Sequence, residues 1–176
     1  MPVDITDYDP GWPGLAVAAI AELAGGLPGV FTAIEHIGST AVPGLAAKPV
    51  IDLMAATEDL DMVQRHQDIL GGLGFDRHRN GMNDRLLYVR TRAGRRTHIL
   101  HVVTAESWPT RNQRLLRDHL RSHPADAARY ADLKRAIVAA GIGPAEYAAA
   151  KTELIQELTD RARRERGLPS VPVWEK

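Results

Sequence analysis

The sequence contains no cysteine in 176 residues. A disulfide framework, a thiolate zinc site and a cysteine nucleophile are therefore excluded. Lysine is scarce, at 4 residues against 18 arginines, and aromatic residues make up only 5%. No apolar run approaches the ~18 residues needed to span a bilayer, because the Ala-rich stretches are broken by Glu, Gly and Lys. The start, Met1-Pro2-Val3-Asp4, lacks the basic and apolar regions of a signal peptide. A cytoplasmic protein with no membrane partner is expected. Net charge is also missing: 22 basic residues balance 22 acidic ones, and the pI is about 7.1. That sum argues against broad nucleic-acid binding.

What is present suffices for a globular fold. Hydrophobic residues make up 44% and charged residues 25%, and a chain of this size can bury a core without staples. The reading is one domain over residues 1–166, with an α/β sheet core over 1–105, a helical segment over 106–166 and an extended tail over 167–176. Asp9-Pro10-Gly11 signals a turn before a helix over 12–25, with Leu15, Ala18, Ala19 and Leu23 at helical spacing. Strands are expected over 31–37, 49–56, 85–92 and 97–103, the last two joined by a hairpin turn at Ala93-Gly94-Arg95. A helix over 59–72 should be capped at Thr57. Three further helices are expected over 109–122, 124–140 and 144–166. The zero charge divides along the same line. Residues 1–84 hold 12 acidic and 4 basic residues, a net of −8, and residues 85–176 hold 10 and 18, a net of +8. A basic wall facing a small anionic ligand is one reading of that split.

The densest chemistry runs from Glu35-His36-Ile37-Gly38-Ser39-Thr40 to Lys48-Pro49-Val50-Ile51-Asp52. Glycine frees the backbone to present N–H groups, and Ser39 and Thr40 add hydroxyl donors, so the turn can cradle a phosphate. Asp52 interrupts an apolar strand, which is costly unless the carboxylate is paired or binds metal. The glycine spacing does not make a Walker A loop, since Leu45 follows Gly44, and no Gly-x-Ser-x-Gly elbow exists. A Gly-Ser turn followed by an acidic strand is the arrangement of the nucleotidyltransferase fold. There, carboxylates at alternate strand positions share one face and hold divalent metal. In this chain Met54 stands at the alternate position, which leaves a standard two-metal site one carboxylate short.

The full string His36-Ile-Gly-Ser-Thr-Ala-Val-Pro-Gly-Leu-Ala-Ala-Lys-Pro-Val-Ile-Asp52 closely resembles the GrpB family. So do Tyr8-Asp9-Pro10-Gly11-Trp12, His98-Ile-Leu-His101 and the run from Arg117 to Pro124. Tyr130-Ala-Asp-Leu-Lys134, and Tyr147 with Lys151, also fit the pattern. The resemblance covers about residues 5–160. It implies a mixed nucleotidyltransferase-like sheet with flanking helices, and kinship with a domain fused to some bacterial dephospho-coenzyme A kinases.

His98 and His101 lie three apart on a strand, hence on opposite faces, so they share a metal only if the strand bends or bulges. His101, nearer the strand's C-terminal end, is favoured to stand by Asp52, and His36 could orient Asp52 or a phosphate. Arg117 and Arg121 share a helix face and could clamp an anion opposite the Gly-Ser-Thr turn. Lys134 and Lys151 could line the same cleft or merely cover helix faces. Trp12 is expected in the core, Trp108 in the core or a pocket wall, and Trp174 as an anchor for the terminus or for a neighbouring subunit.

The leading expectation is a protein that binds a nucleotide or small phosphorylated ligand and transfers a nucleotidyl or phosphoryl group. Gly38, Ser39, Thr40, His36, Lys48, Arg117, Arg121, Lys134 and Lys151 would contact that ligand. Asp52, with His98 or His101, would hold Mg²⁺ or Mn²⁺, and Ser39, Asp52 and His101 would be the catalytic set. The rival expectation is a non-catalytic regulatory or chaperone-like module with a protein partner, a second copy included. A third is a ligase or transferase acting on a small carboxylate or amine.

Overall fold

The computed structural model describes residues 4–173. Trp174 therefore lies outside the described residues. The first helix, α1 (Trp12–Gly26), follows a turn in which Asp9 Oδ1 accepts the Gly11 N–H at 2.7 Å. Its buried stripe is Trp12, Ala16, Ala19 and Leu23, with Tyr8 edge-on to Trp12 at 5.4 Å. Leu15, expected in that stripe, is 52% exposed. Ala18, expected there too, is also exposed, and the inward stripe runs through Trp12, Ala16, Ala19 and Leu23 instead.

Five strands form one mixed sheet in the order β1-β2-β5-β4-β3. They are β1 (Ala33–Ile37), β2 (Ile51–Thr57), β3 (Phe75–Arg77), β4 (Leu86–Arg92) and β5 (Arg95–Thr104). β2 and β5 are parallel at the centre, and the other pairs are antiparallel. β2 is covered on both faces, which explains its nearly continuous apolar run. Ala93 (φ 50°) and Gly94 (φ 75°) close the β4–β5 hairpin between Arg92 and Arg95. Two positive φ angles are what a two-residue hairpin of this twist requires.

Two readings change. The helix expected over 59–72 is two short ones, α2 (Leu60–Arg65) and α3 (Gln67–Gly72), broken at His66. There the ring Nδ1 donates to the Met62 carbonyl at 2.7 Å. The cap is Asp59, whose carboxylate accepts the Asp61 N–H at 2.9 Å; Thr57 instead accepts the Asp59 N–H one step earlier. The edge strand β3 was absent from the sequence reading.

One sheet face packs against α1–α3 through Ile51, Leu53, Ala55, Leu86, Tyr88, Leu100 and Val102. The other face carries Ile37, Asp52, Met54, Ile99, His101 and Leu87, in register across four strands. The helical segment follows: a 3-10 turn at Trp108–Thr110, then α4 (Asn112–Ser122), α5 (Pro124–Ala139) and α6 (Pro144–Glu165). Its core joins the sheet through the loop after β1. Val42, Leu45 and Ala46 pack with Leu120, Tyr130, Ala131, Ile155 and Leu158. Residues after α6 run back along it, where Gln156 bonds the backbone of Val171 and Val173. Among the described residues no helix is long and apolar enough to cross a membrane.

Candidate functional site

β1 ends at Ile37, and the chain turns through Gly38 into a 3-10 turn, Ser39–Ala41. Gly38 has φ 75°, a conformation that L side chains rarely adopt. It also touches its neighbour across the sheet: a Cβ there would lie 2.7 Å from Asp52 Oδ2. Asp52 pairs with Ile37 on β1 and with Ile99 on β5. Its carboxylate therefore sits directly under the turn. His101, one alternation further along β5, brings its Nε2 to 3.8 Å from Asp52 Oδ1. His101 Nδ1 is buried without a hydrogen-bond partner among the described residues.

Ser39 Oγ accepts a hydrogen bond from Lys134 Nζ at 3.0 Å. Lys134 is only 2% exposed and lies 4.3 Å from the Tyr130 ring centroid. A fully buried ammonium is costly unless its partners satisfy it. The lysine brings a cation from α5 to the back of the Ser39 turn. Gly38, Ser39, Asp52 and His101 open into a cavity of about 250 Å³. Arg117, Leu116, Gln113, Tyr130 and Lys151 wall it on the helical side, and His78, Asn80, Met82, Arg85 and Arg96 close the far side.

The other expected residues fall into three positions. Lys151 lines the cavity, with Nζ 4.7 Å over the Tyr147 ring, and Lys48 lies 4.4 Å over the same ring without reaching the cavity wall. His36 points to the α1 side of the sheet, in register with Leu53, and its Nε2 meets Thr40 Oγ1 at 2.8 Å. The pair fastens the turn from behind rather than facing a ligand. Burial pushes the His36 imidazole down from 6.5 to about 4; nearby Arg121 and Arg117 push the same way, and Asp52 opposes.

His98 is the clear correction. It cannot join Asp52 as a metal ligand, because its side chain lies on the opposite face, against Phe75 and Arg90. The β-bulge between β4 and β5 falls at Arg90/Thr91, ahead of His98, so it does not rotate His98 relative to His101. Burial, with Arg90 and Arg92 adding to it, lowers the His98 pKa to about 4.

The arginine clamp is the second correction. Arg117 lines the cavity, but its guanidinium is engaged by Glu35 (2.7 Å), Asp118 (2.9 Å) and the His36 carbonyl (3.0 Å). Arg121 bonds the Ala41 carbonyl at 2.8 Å and lies outside this cavity. Both arginines hold the turn and strand in place. Glu35, which opens the string singled out in the sequence but is given no role there, organises this side. It accepts two hydrogen bonds from Arg114 at 3.0 Å as well as the one from Arg117. Burial alone would raise the Glu35 pKa, but the two arginines hold it below the usual value. Trp108 stacks on Arg114 at 4.3 Å and covers Ile37, Met54 and Val103. The position that would carry a second carboxylate is thus filled by a buried methionine beneath a tryptophan.

One carboxylate and one imidazole 3.8 Å apart fit two adjacent ligand positions on a single ion after a small closure. They do not make a two-metal site, since Met54 supplies no oxygen.

Comparison with known proteins accords with this frame. The model of the family described as GrpB protein matches residues 2–161. The chain belongs to the GrpB family. UPF0157 protein SCO7215 of Streptomyces coelicolor is 34% identical over 161 residues, covering 91% of this chain and 84% of that one. The Dephospho-CoA kinase of Mycobacterium leprae is 29% identical over 76% of this chain, which spans only 40% of the kinase. Among solved structures, the GrpB protein of Enterococcus faecalis matches with a TM-score of 0.85 at 27% identity, covering 93% of this chain and 99% of that one. Terminal uridylyl transferase 4 of Trypanosoma brucei, solved with bound dUTP, matches with a TM-score of 0.56 at 10% identity, covering 97% and 64%. The fold is nucleotidyltransferase-like.

Proposed function

We propose that this chain binds a small phosphorylated ligand, a nucleotide by preference, in the cavity above Asp52. One observation carries the reading. A hydroxyl turn (Ser39), a strand carboxylate (Asp52) and an imidazole (His101) line one cavity, and the buried ammonium of Lys134 backs the Ser39 hydroxyl. Each suits one part of a metal–phosphate complex: Ser39 and Lys134 the phosphate oxygens, Asp52 and His101 one divalent ion. The ion, when bound, would neutralise phosphate charge and polarise the phosphoryl centre. Lys151 and Tyr130 would contact the remainder of the ligand from the helical side. A volume of about 250 Å³ falls just below the usual range of small-molecule sites, which suits a small phosphorylated group better than a polymer. An imidazole ligand favours Mn²⁺ over Mg²⁺.

Nucleotidyl or phosphoryl transfer is the reaction this fold would support at such a site. With Met54 under Trp108, any transfer would run with one ion. The same substitution favours a second reading, a non-catalytic regulatory module that recognises a ligand or protein partner. Similarity to a segment of a dephospho-CoA kinase is consistent with that second reading. Thermal-shift measurements with nucleotides, coenzyme A and small carboxylates, each with and without Mn²⁺, test both. Stabilisation that needs nucleotide and metal together supports the ligand reading. Absence of any metal-dependent shift overturns it.

A further inference from the structure

The run Arg117–Pro124 contains a pair of histidines that the cavity does not use. His119 lies on α4, and His123 follows the last residue of that helix, one turn on. Glu165, the final residue of α6, approaches them. One ligand atom from each side chain can be chosen so that all three lie within 4.8 Å of one another. We infer that His119, His123 and Glu165 form a second divalent-metal site, of the kind that takes Zn²⁺, where α4 and α6 end.

The hydrogen bonds prepare both imidazoles. His119 is fully buried, and its Nε2 donates to Asp126 Oδ2 at 2.7 Å. That leaves Nδ1, which is buried and has no hydrogen-bond partner among the described residues. A buried acceptor with no donor is an unmet cost that an ion would relieve. Arg161 at 2.7 Å and Arg129 at 3.4 Å fix the Asp126 carboxylate in turn. A carboxylate behind a histidine ligand is the usual support of a zinc site, since it sets the tautomer and aims the ring. His123 is held in the complementary way: its Nδ1 donates to the His119 carbonyl at 2.9 Å, leaving Nε2, which lies 3.5 Å from Glu165 Oε1. Two imidazoles and one carboxylate are the donor set of three-ligand zinc sites, with a fourth position open to water. The two rings stack 3.9 Å apart, so binding requires them to splay. His123 and Glu165 are solvent-accessible, which gives an ion its entry path. An ion here would cross-link the C-terminal ends of the helices that frame α5, which carries Lys134.

The test uses the full chain stripped with EDTA and titrated with Co²⁺ alone, then displaced by Zn²⁺. One equivalent of Co²⁺ should give visible ligand-field absorption, and Zn²⁺ should raise the Tm. His123→Asn and Glu165→Gln, both at accessible positions, should each weaken Zn²⁺ binding by about tenfold or more. Asp52→Asn should leave the signal unchanged, which separates this site from the cavity. Absence of one-equivalent binding, equal binding by the H123N and E165Q variants, or loss of the signal in D52N would each overturn the assignment.

Discussion

Gly38 and Asp52 are in such close contact that a Cβ on the glycine would lie 2.7 Å from the carboxylate oxygen. The turn and the acid are thus one unit, set by the pairing of Ile37 with Asp52 across β1 and β2. Gly38→Ala adds both this clash and a strained φ of 75°. The expected loss is about 1–3 kcal/mol of stability, read by urea denaturation. In an Asp52→Ala background the carboxyl contacts are gone and only a tight 3.1 Å contact with the residue-52 Cβ remains, so the loss from Gly38→Ala should shrink measurably. Equal losses in the two backgrounds would show that the contact is not the cause.

Lys134→Met keeps the volume and the apolar stem of a buried side chain while removing the cation next to Ser39. Methionine is well tolerated in cores, so the fold should persist. Affinity for a nucleoside triphosphate should fall at least tenfold, or about 1.4 kcal/mol. Calorimetry on the folded variant measures this.

Glu35 joins Arg114 and Arg117 to the sheet. Glu35→Ala leaves two partly buried guanidiniums without that partner, at a cost of about 1–3 kcal/mol. The expected signature is a lower urea midpoint with an unchanged m-value.

His36 and His98 are both held near pKa 4 against an ordinary value of 6.5. The unfolded chain therefore takes up protons before the folded one as pH falls. Their contribution is fully present above about pH 6.5 and is lost progressively down to about pH 4. Tm should decline across that window. His98→Gln, which cannot titrate, should flatten the decline even where its absolute Tm is lower. A slope unchanged in this variant would remove His98 from the account.

The sequence pattern made some of this visible and hid the rest for physical reasons. Asp52 stood out because a lone carboxylate in an apolar strand needs a compensating partner. The period-two alternation of β5 put His98 and His101 on opposite faces, but only the strand order showed which of them meets Asp52. Glu35 gave no such signal. A glutamate in a short strand reads as a solvated residue, and its arginine partners lie 79 and 82 positions away. Arg117 and Arg121 were legible as neighbours on α4, whereas their partners depended on how α4 docks on β1 and the turn. β3, at three residues, is too short to show a period, so the loop that carries His78 and Asn80 to the cavity was unreadable as a wall. The break at His66 turns on one side-chain bond to Met62 that competes with the helix, a local choice below the resolution of periodicity.

The central claim is that Asp52, with His101 beside it, couples a divalent ion to a phosphorylated ligand. Calorimetric titration of a nucleoside triphosphate into the wild-type chain and the Asp52→Asn variant, each with and without Mn²⁺, tests it directly. The account predicts Mn²⁺-dependent binding by the wild type that Asp52→Asn abolishes without a change of fold. Equal binding by both chains, or wild-type binding indifferent to Mn²⁺, would contradict it.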